Sequence, residues 1–566
     1  MDQHLPSSAG GPARRHDADL ASGARCPDRG LPTGSSRQAR FSQTMKSISL
    51  LAIILTVAGP LAAGLTRFTP VPDTAAYPRG VAASPRYRVL VQPAAKTESW
   101  DRARDTTATY KLWPDYVDPE TLPAKHARTA VHVAQADSNV RVRVRVELTD
   151  GSAIRTLALK PSRLAELAAT VRRGETWVEF EVEPYRYTRT VLVEINAPAH
   201  DAEALQDGLL FFLNPPSEMP AGNVLVLPPG VINEHSPHLD SLNRLLIGPD
   251  SPYDALYIPQ DTIIDGRVDI RKPSFTVAGR GMIIGSRWPF AKTTPDWRKR
   301  YPAWISPDGE WVRPLLSMKL PGDRDDTSGR FEGVLVAHPY HFCVGWAWYN
   351  ENLKTFGWRF SSDGIHGPHK RGSFMRVNDD ATYANEGTIE DCTYWGMVNG
   401  AVFQLGWGLN RDNNALVHVR RVDVVRGEWD NIPNPGVDRI GAPADAPPAD
   451  RRNASANRGV FAGTFRSGRA FTVRNKTFED IRVDTQVNRL FYFGSRTGEV
   501  DYDNFVLKDI WFSREPHYEE VQNVLSGRTG VRGFVFDNFT VGGRKASTLE
   551  DFAPLEQRNV ENPVFR

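Results

Sequence analysis

The sequence predicts an all-β protein, with an N-terminal β-sandwich followed by a right-handed parallel β-helix. Three observations support this fold class. Residues 86–214 alternate apolar and polar side chains at period two. Residues 389–541 repeat a short strand unit at nearly constant spacing. The 45 Gly and 42 Pro among 566 residues favour turn-rich β structure over helix bundles.

The first 64 residues are predicted to be a leader and not part of the fold. Residues 45–64 (MKSISLLAIILTVAGPLAAG) combine a Lys, an apolar run and small residues at the end, as in a secretory signal peptide. The apolar run is too short to be read as a transmembrane helix. Residues 1–44 are rich in Arg, Ser, Pro and Gly, so we expect either a mis-assigned start upstream of Met45 or a disordered leader. The mature chain is expected to be secreted or periplasmic, without membrane insertion.

Charge and cysteine content exclude several function classes. The net charge is +2, and removing residues 1–64 leaves −1, so nothing suggests a nucleic-acid partner or an anionic membrane. Of the three Cys, Cys26 lies in the leader. Cys343 and Cys392 either pair in an oxidising compartment or are buried free thiols, and their spacing fits no zinc site. No metal or cofactor is expected.

Residues 85–216 are predicted to form the β-sandwich domain. Alternating segments separated by turn residues indicate antiparallel strands. Examples are RVRVRVEL (141–148), WVEFEVE (177–183), RTVLVEI (189–195) and LLFFLN (209–214). This domain carries no catalytic pattern, so packing or carbohydrate contact is its expected role.

Residues 223–560 are predicted to form the β-helix. A unit of the form apolar-x-(Asp/Asn/Arg)-apolar-x-apolar recurs at 389–394, 419–424, 478–483, 507–512 and 536–541. The start-to-start offsets are 30, 59, 29 and 29, so we read the second as two periods, with the missing copy near 441–450 as a projecting loop. Short strands at a fixed period indicate a solenoid. Stacked coils about 5 Å apart create a long shallow groove, which suits an extended polymer.

Three carboxylates near the centre of the chain are the candidate catalytic groups. Asp379 and Asp380 follow the apolar strand 374–377, and Asp363 lies sixteen positions before Asp379. In a straight strand the adjacent pair would point to opposite faces, so a bend is needed for both to reach one cleft. Like charges side by side raise one pKa, which equips a site for general acid and base catalysis. The alternative is a polar ladder or a calcium site.

This region resembles glycoside hydrolase family 49, the dextranase and isopullulanase family, over roughly residues 85–560. The matching pieces are Asp363-Gly364, VNDDA (377–381) and QLGW (404–407), in that order within a solenoid. The polygalacturonases carry a similar carboxylate trio on the same fold, but their downstream Gly-His-Gly has no convincing counterpart here.

The resemblance implies inverting hydrolysis of a glycosidic bond in an α-glucan of the dextran type. By position, Asp379 would protonate the leaving oxygen, and Asp363 and Asp380 would activate water, with the main base left open. Asn378 would orient a carboxylate or fix the turn. Gln404 and Trp407 would line a sugar subsite, although core packing of Trp407 is equally expected.

The sequence also departs from that family. The double Asp is followed by Ala381-Thr382-Tyr383 where members carry Ala-Ile-Lys. A basic run lies between and after the carboxylates: His366, His369, Lys370, Arg371 and Arg376. This run is either a solvated loop or a set of groups that bind anionic sugars or tune the aspartates. A hydrolase of another, possibly acidic or furanoside-containing, glycan and a solenoid that binds glycans without cleaving them remain alternatives.

Overall fold

The computed structural model describes residues 64–96, 98–114, 129–198, 204–286, 314–320, 328–359, 362–396, 399–405, 409, 411–428, 457–463, 469–494, 499–516 and 523–566. Nearly all of the predicted leader, the segment 441–450 and Trp407 lie outside these residues. The helices described are α1 Arg102–Asp105, α2 Ala165–Thr170 and two 3-10 turns, Thr74–Ala76 and Leu549–Phe552. Within the same ranges no helix has the length and apolarity needed to cross a membrane.

Twelve strands build two facing sheets at the N-terminal end. They are β1 Leu65–Arg67, β2 Val81–Ala83, β3 Tyr87–Pro93, β4 Thr106–Thr107, β5 Thr109–Leu112, β6 Ala130–Ser138, β7 Val142–Leu148, β8 Leu157–Lys160, β9 Arg172–Arg173, β10 Trp177–Val182, β11 Arg189–Ile195 and β12 Asp207–Asn214. One sheet has the order β2-β5-β6-β12-β11-β8, with β1 on β6, and the other has the order β4-β3-β7-β10-β9. Pairing is antiparallel except between β6 and β12.

The alternation seen in the sequence sets the inner face of this sandwich. Val178, Phe180 and Val182 of β10 are fully buried and pair opposite Val146, Val144 and Val142 of β7. Strand β12 instead reads as a continuous apolar run, because its sheet is covered on both faces. Phe211 faces the sandwich core, whereas Phe212 packs against Phe374 of the solenoid with ring centroids 5.4 Å apart.

The remaining strands form the coils of the solenoid. They are β13 Val224–Val226, β14 Gly230–Ile232, β15 Arg244–Ile247, β16 Ala255–Ile258, β17 Thr262–Asp265, β18 Arg267–Ile270, β19 Thr276–Gly279, β20 Met282–Ile284, β21 Pro314–Met318, β22 Arg330–Glu332, β23 Leu335–Ala337, β24 Phe342–Gly345, β25 Tyr349–Glu351, β26 Lys354–Phe356, β27 His369–Arg371, β28 Phe374–Val377, β29 Thr382–Tyr383, β30 Gly387–Glu390, β31 Thr393–Gly396, β32 Gly400–Gln404, β33 Val417–Gly427, β34 Asn457–Ala462, β35 Phe471–Val483, β36 Phe491–Phe493, β37 Val500–Phe512, β38 Asn523–Val541, β39 Arg544–Lys545, β40 Leu555–Val560 and β41 Val564–Phe565. The pairings recorded between successive coils are parallel, and the short hairpin β38–β39 is antiparallel.

The repeat units lie directly on one another, and this corrects one reading of the spacing. Ile389 pairs with Val419, Val419 with Phe478, Phe478 with Leu507, and Leu507 with Phe536. The 59-residue offset is therefore a single long coil, and the expectation of a missing copy near 441–450 is wrong. Register depends on which strands pair, whereas the chain length between them can vary without breaking the stack.

The residue type at the third position of the repeat is explained by its backbone conformation. Asp391, Arg421, Asp480, Asp509 and Asn538 occupy this position, with φ between 51° and 56°. Asp and Asn tolerate the left-handed region better than other residues that have a side chain. Arg421 is the exception, and a two-pronged ion pair to Asp391, at 2.9 Å for each contact, holds its side chain. The polar residue at the third position of the repeat therefore lies at the corner of each coil.

These sheets confirm the predicted fold class, a β-sandwich followed by a right-handed parallel β-helix. The first strand of the sandwich begins at Leu65, whereas the sequence suggested a start near residue 85. Strand β1 has three residues and joins the edge of β6, too short to show an alternating pattern. At the other end β41 reaches Phe565, beyond the expected residue 560.

Candidate active site

Backbone pairing between adjacent coils brings the three aspartates together. The amide of Gly364 donates to the carbonyl of Asp380 at 3.1 Å, and the amide of Ile365 donates to that of Ala381 at 3.2 Å. Asp363 and Asp380 therefore occupy equivalent positions on neighbouring coils. On the next coil, the amide of Ala401 donates to Oδ1 of Asp380 at 3.0 Å.

Two glycines allow this close approach. A Cβ on Gly364 would lie 2.2 Å from the carbonyl oxygen of Ala381. A Cβ on Gly400 would lie 2.4 Å from the amide nitrogen of Asp380, and the φ of Gly400 is +70°. Any side chain at either position would push the coils apart at the carboxylates, so the Asp-Gly of the sequence motif is a packing requirement.

The chain bends at Asn378 and Asp379, as the sequence required if both carboxylates were to share one side. Asp379 is half-buried and accepts hydrogen bonds from the amide of Asp380 (2.8 Å) and from Nδ2 of Asn399 (2.7 Å). Asn378 is fully buried, and its Nδ2 donates to the carbonyl of Trp358 at 2.8 Å. Asn378 thus holds the bend from beneath, which matches the turn-fixing alternative better than contact with a sugar.

Asp380 has the clearest electrostatic perturbation of the trio. Its carboxyl is buried, and burial together with the charges of Asp379 and Asp363 raises its pKa well above the usual range. Hydrogen bonds from the Ala401 amide and the Tyr383 hydroxyl oppose the shift but do not cancel it. The cluster therefore favours the protonated form of one carboxyl more strongly than an isolated aspartate would.

Tyr383 and His366 complete the surroundings of Asp363. The Tyr383 hydroxyl donates to Oδ2 of Asp363 at 2.9 Å, and Nε2 of His366 lies 3.4 Å from the same oxygen. The imidazole stacks on Phe342 and leans on the Tyr383 ring, with both centroid distances at 4.5 Å. Tyr383 entered the sequence analysis only as a departure from a family pattern, and Asn399 was missed, although the following Gly400 marks a tight turn.

The other basic residues proposed from the sequence lie elsewhere. Lys370 is fully buried and donates to the carbonyl of Tyr383 at 2.9 Å, and burial lowers its pKa to about 7. Arg376 is also fully buried, between the rings of Trp358 and Trp395, each 4.8 Å away. Neither residue belongs to a solvated loop. Lys370 supports the Tyr383 backbone, and Arg376 lies where the solenoid packs on the sandwich.

The predicted sugar subsite is described in part. Gln404 is buried next to Tyr383 in register, and its Nε2 donates to the carbonyl of Gly463 at 2.9 Å. This hydrogen bond links two coils, so the side-chain amide of Gln404 has a partner within the protein. Trp407 lies outside the described residues.

Cysteines and acidic clusters give no further chemistry. Cys343 and Cys392 are both buried and free. Burial raises the pKa of both thiols. Within the described ranges, no group of three or more His, Cys, Asp and Glu side chains has a geometry that could hold a metal ion.

Comparison with solved structures supports the fold. The chain matches Dex49A from Penicillium minioluteum with a TM-score of 0.64 and 15% identity, covering 89% of this chain and 99% of that one. A family 28 exopolygalacturonase from Yersinia enterocolitica matches with a TM-score of 0.28 and 9% identity, covering 74% and 96%. No family model and no curated protein matches the sequence. At this identity the first match shows a shared fold and leaves the activity to be argued from the site.

Proposed function

We propose that this protein is an inverting glycoside hydrolase that cleaves a polysaccharide. The observation that carries the proposal is the clustering of Asp363, Asp379 and Asp380 on adjacent coils, where burial and the neighbouring charges raise the pKa of the Asp380 carboxyl. A protonated acid beside ionised carboxylates is the minimum equipment for glycosidic hydrolysis.

The roles follow from exposure and proton sharing. Asp379 is the least buried of the three, so it meets the leaving oxygen and donates the proton. Asp363 and Asp380 activate the water that attacks from the opposite face of the sugar. Because Asp379 and Asp380 interact strongly, the proton belongs to the pair, and the carboxyl that carries it changes as substrate enters.

An α-glucan of the dextran type is the first substrate to test, because the Asp-Gly, VNDDA and QLGW motifs resemble those of the dextranase family. A different, possibly acidic or furanoside-containing, glycan is the second candidate. We also propose that the mature chain is secreted or periplasmic, since residues 45–64 read as a signal peptide.

The test is release of reducing ends from a panel of neutral and acidic glycans, followed by NMR of the fresh product to read its anomeric configuration. We expect product of inverted configuration. We expect Asp379→Asn to fold normally and to lose about 10²–10⁴-fold in turnover. Asp509→Asn, on a distant coil at a left-handed position that suits Asn, should keep full activity.

A leaving-group series separates the roles of the two adjacent aspartates. A variant lacking the acid retains activity on an aryl glycoside of the cleaved sugar, because a good leaving group needs no proton. A variant lacking the base loses activity on both kinds of substrate. Unchanged turnover by Asp379→Asn would refute the assignment, and glycan retention without products from either protein would identify a binding solenoid.

A further inference from the structure

A groove of about 740 Å³ lies on the outer surface of the solenoid, beside the corners of the long strands β33, β35, β37 and β38. Three half-buried side chains, Arg482, Trp511 and Thr540, line it from equivalent positions on three consecutive coils. Adjacent coils are one strand spacing apart, so this row is roughly 10 Å long. The groove therefore offers a continuous surface to a ligand that lies along the solenoid axis.

This groove is remote from the aspartates. Strand β28 leads into Asp379, and its first residue, Phe374, is linked to Trp511 by successive in-register pairings through β31, β33 and β35. Four strand spacings therefore separate Phe374 from Trp511, roughly 19 Å between backbones. Because Asp379 lies a further stretch of strand away from Phe374, the groove is a site distinct from the aspartate cluster.

The edge of the sandwich borders the groove. Nε of Arg163 donates to Oδ1 of Asp423 at 2.9 Å, and the same guanidinium group pairs with Asp480, which lines the groove. On the coils nearer the aspartates the sandwich covers this sheet, as the packing of Phe212 on Phe374 shows. The groove therefore opens where that cover ends and the outer side chains of the sheet become accessible.

Trp511 and Arg482 present an aromatic ring and hydrogen-bond donors to the groove. Cζ of Arg482 lies 5.9 Å from the centroid of the Trp511 ring, so the guanidinium and the indole are neighbours on adjacent coils. Among the described residues, Arg482 has no hydrogen bond or ion pair and the indole N–H of Trp511 has no acceptor. An apolar ring beside a few polar groups suits a sugar, because the ring packs on its C–H face and the donors bind its hydroxyl groups.

The charges around the groove cancel. Three arginines and three carboxylates line it, and all of them except Arg482 form ion pairs within the protein. Examples are Arg421 with Asp391 at 2.9 Å and Glu479 with Lys508 at 2.7 Å. A lining without net charge gives little long-range attraction for a polyanion. The groove therefore suits a neutral ligand with many hydroxyl groups.

We propose that this groove is a second polysaccharide-binding site, which takes a short segment of a neutral, hydroxyl-rich glycan. One sugar ring packs on the Trp511 indole, and Arg482 and Thr540 on the neighbouring coils hydrogen-bond the hydroxyl groups of the flanking sugars. The choice of a polysaccharide as ligand rests on the proposed function. A polymer held here stays at a high effective concentration near Asp379, because both sites belong to one chain.

Affinity electrophoresis tests the second site without hydrolysis. The Asp379→Asn variant is run in native gels that contain dextran, pullulan, arabinan or pectate, and the retardation gives a Kd for each polymer. We expect at least one neutral polymer to bind. Adding Trp511→Ala should raise that Kd about tenfold, and adding Arg482→Gln should raise it roughly threefold or more. Because the ligand is neutral, the Kd should change by less than about twofold between low and high salt.

Trp100→Ala and Arg532→Gln are the matched controls, and neither should change the retardation. Trp100 is also half-buried, with an arginine 4.7 Å from its ring, but its indole N–H already donates to Glu179 at 2.6 Å. Arg532 is exposed and pairs with Glu561 at 2.9 Å. Thermal denaturation verifies folding, and Trp511→Phe, which keeps a smaller ring, should lose less affinity than Trp511→Ala.

Equal losses of affinity in Trp511→Ala and Trp100→Ala, no retardation by any neutral polymer, or binding to pectate alone that salt removes would overturn the second site. The outcomes for the two proposals are separable. Hydrolysis by the unmutated protein, with retardation that the changes at Trp511 and Arg482 do not weaken, keeps the hydrolase and removes the second site. Retardation that depends on both residues, without hydrolysis of any polymer by the unmutated protein, keeps the second site and removes the hydrolase.

Discussion

The Tyr383 hydroxyl lies 2.9 Å from Oδ2 of Asp363 and also hydrogen-bonds the carboxyl of Asp380. A hydroxyl has one proton, so it can donate to only one of two carboxylates. The hydroxyl is therefore shared between the two carboxylates, and it stabilises the ionised form of the one to which it donates. Its contact with Asp380 lowers the pKa of that carboxyl, although burial and the charges of Asp379 and Asp363 outweigh this effect.

Tyr383→Phe should therefore disturb both aspartates while preserving the ring packing. Loss of a hydrogen bond to a charged group is worth about 1.5–3 kcal/mol, so we expect roughly a 10–100-fold fall in kcat/KM. The hydroxyl lowers the pKa of Asp380, so its removal should move the limb of the pH–rate profile set by Asp380 to higher pH. Tyr257→Phe, whose hydroxyl contacts Ser217 at 3.2 Å, is the control, and an unshifted profile would argue against the network.

Gly400→Ala should displace the aspartates. The added Cβ would lie 2.4 Å from the Asp380 amide nitrogen, so the coil must move. We expect a loss of at least about 100-fold in turnover, since misplaced catalytic groups cost that much, and a lower melting temperature. Gly151→Ala is a matched control with φ +71° and open space around its Cβ, so it bears only the left-handed strain of about 1–2 kcal/mol. Similar activity in both variants would contradict a steric origin.

Asp380→Asn should abolish activity yet stabilise the fold. A raised native pKa means that the native state holds a proton that the unfolded chain releases above its own pKa of about 3.9. The free energy of unfolding of the unmutated protein therefore falls as the pH rises above that value. The variant lacks this pH dependence, because Asn does not titrate. We expect a higher melting temperature for the variant at pH 7, with the gap closing below about pH 4. A gap that stays constant over this range would exclude the buried charge as its cause.

Lys370→Met should stabilise the protein more at low pH than at high pH. The native pKa of Lys370 is about 7, against about 10.4 for an unperturbed lysine, so charging the buried amine opposes folding. This cost is complete below pH 7 and fades between pH 7 and about 10. Melting temperatures at pH 6 and pH 9 measure it. The control is Lys508→Met, an exposed lysine paired with Glu479 at 2.7 Å, which should show no such gain.

Periodicity in the sequence was sufficient to predict the fold class. The alternation in β7 and β10 and the spacing of the repeat reflect burial on one face and stacking of equal coils. The 59-residue interval was taken for two coils because the sequence gives only the number of residues between two repeat units. Whether those units lie on adjacent coils depends on which strands pair. The direct pairing of β33 with β35, for example of Val419 with Phe478, distinguishes one long coil from two short ones.

Site residues could be predicted where one short sequence motif contains both the reactive side chain and the residue that sets the local backbone conformation. Asp363, Asp379 and Asp380 meet as expected, since the Asp-Gly and the bend at Asn378 are local features. Arg376 could not be assigned from the sequence, because whether a strand face meets solvent or the sandwich depends on docking between distant segments. Asn399 carries no motif, and only the stacking of its coil on the preceding one brings its Nδ2 to 2.7 Å from Asp379.

The left-handed corner residues have a consequence for how this scaffold can diversify. Each corner residue bends the chain at an equivalent place in its coil, so alignment is renewed on every turn of the spiral. An insertion on one side is therefore not propagated to its neighbours, as the 59-residue turn beside turns of 29 and 30 demonstrates. Loops beside the aspartates can accordingly differ in length while the coils that carry Asp363 and Asp380 keep their register.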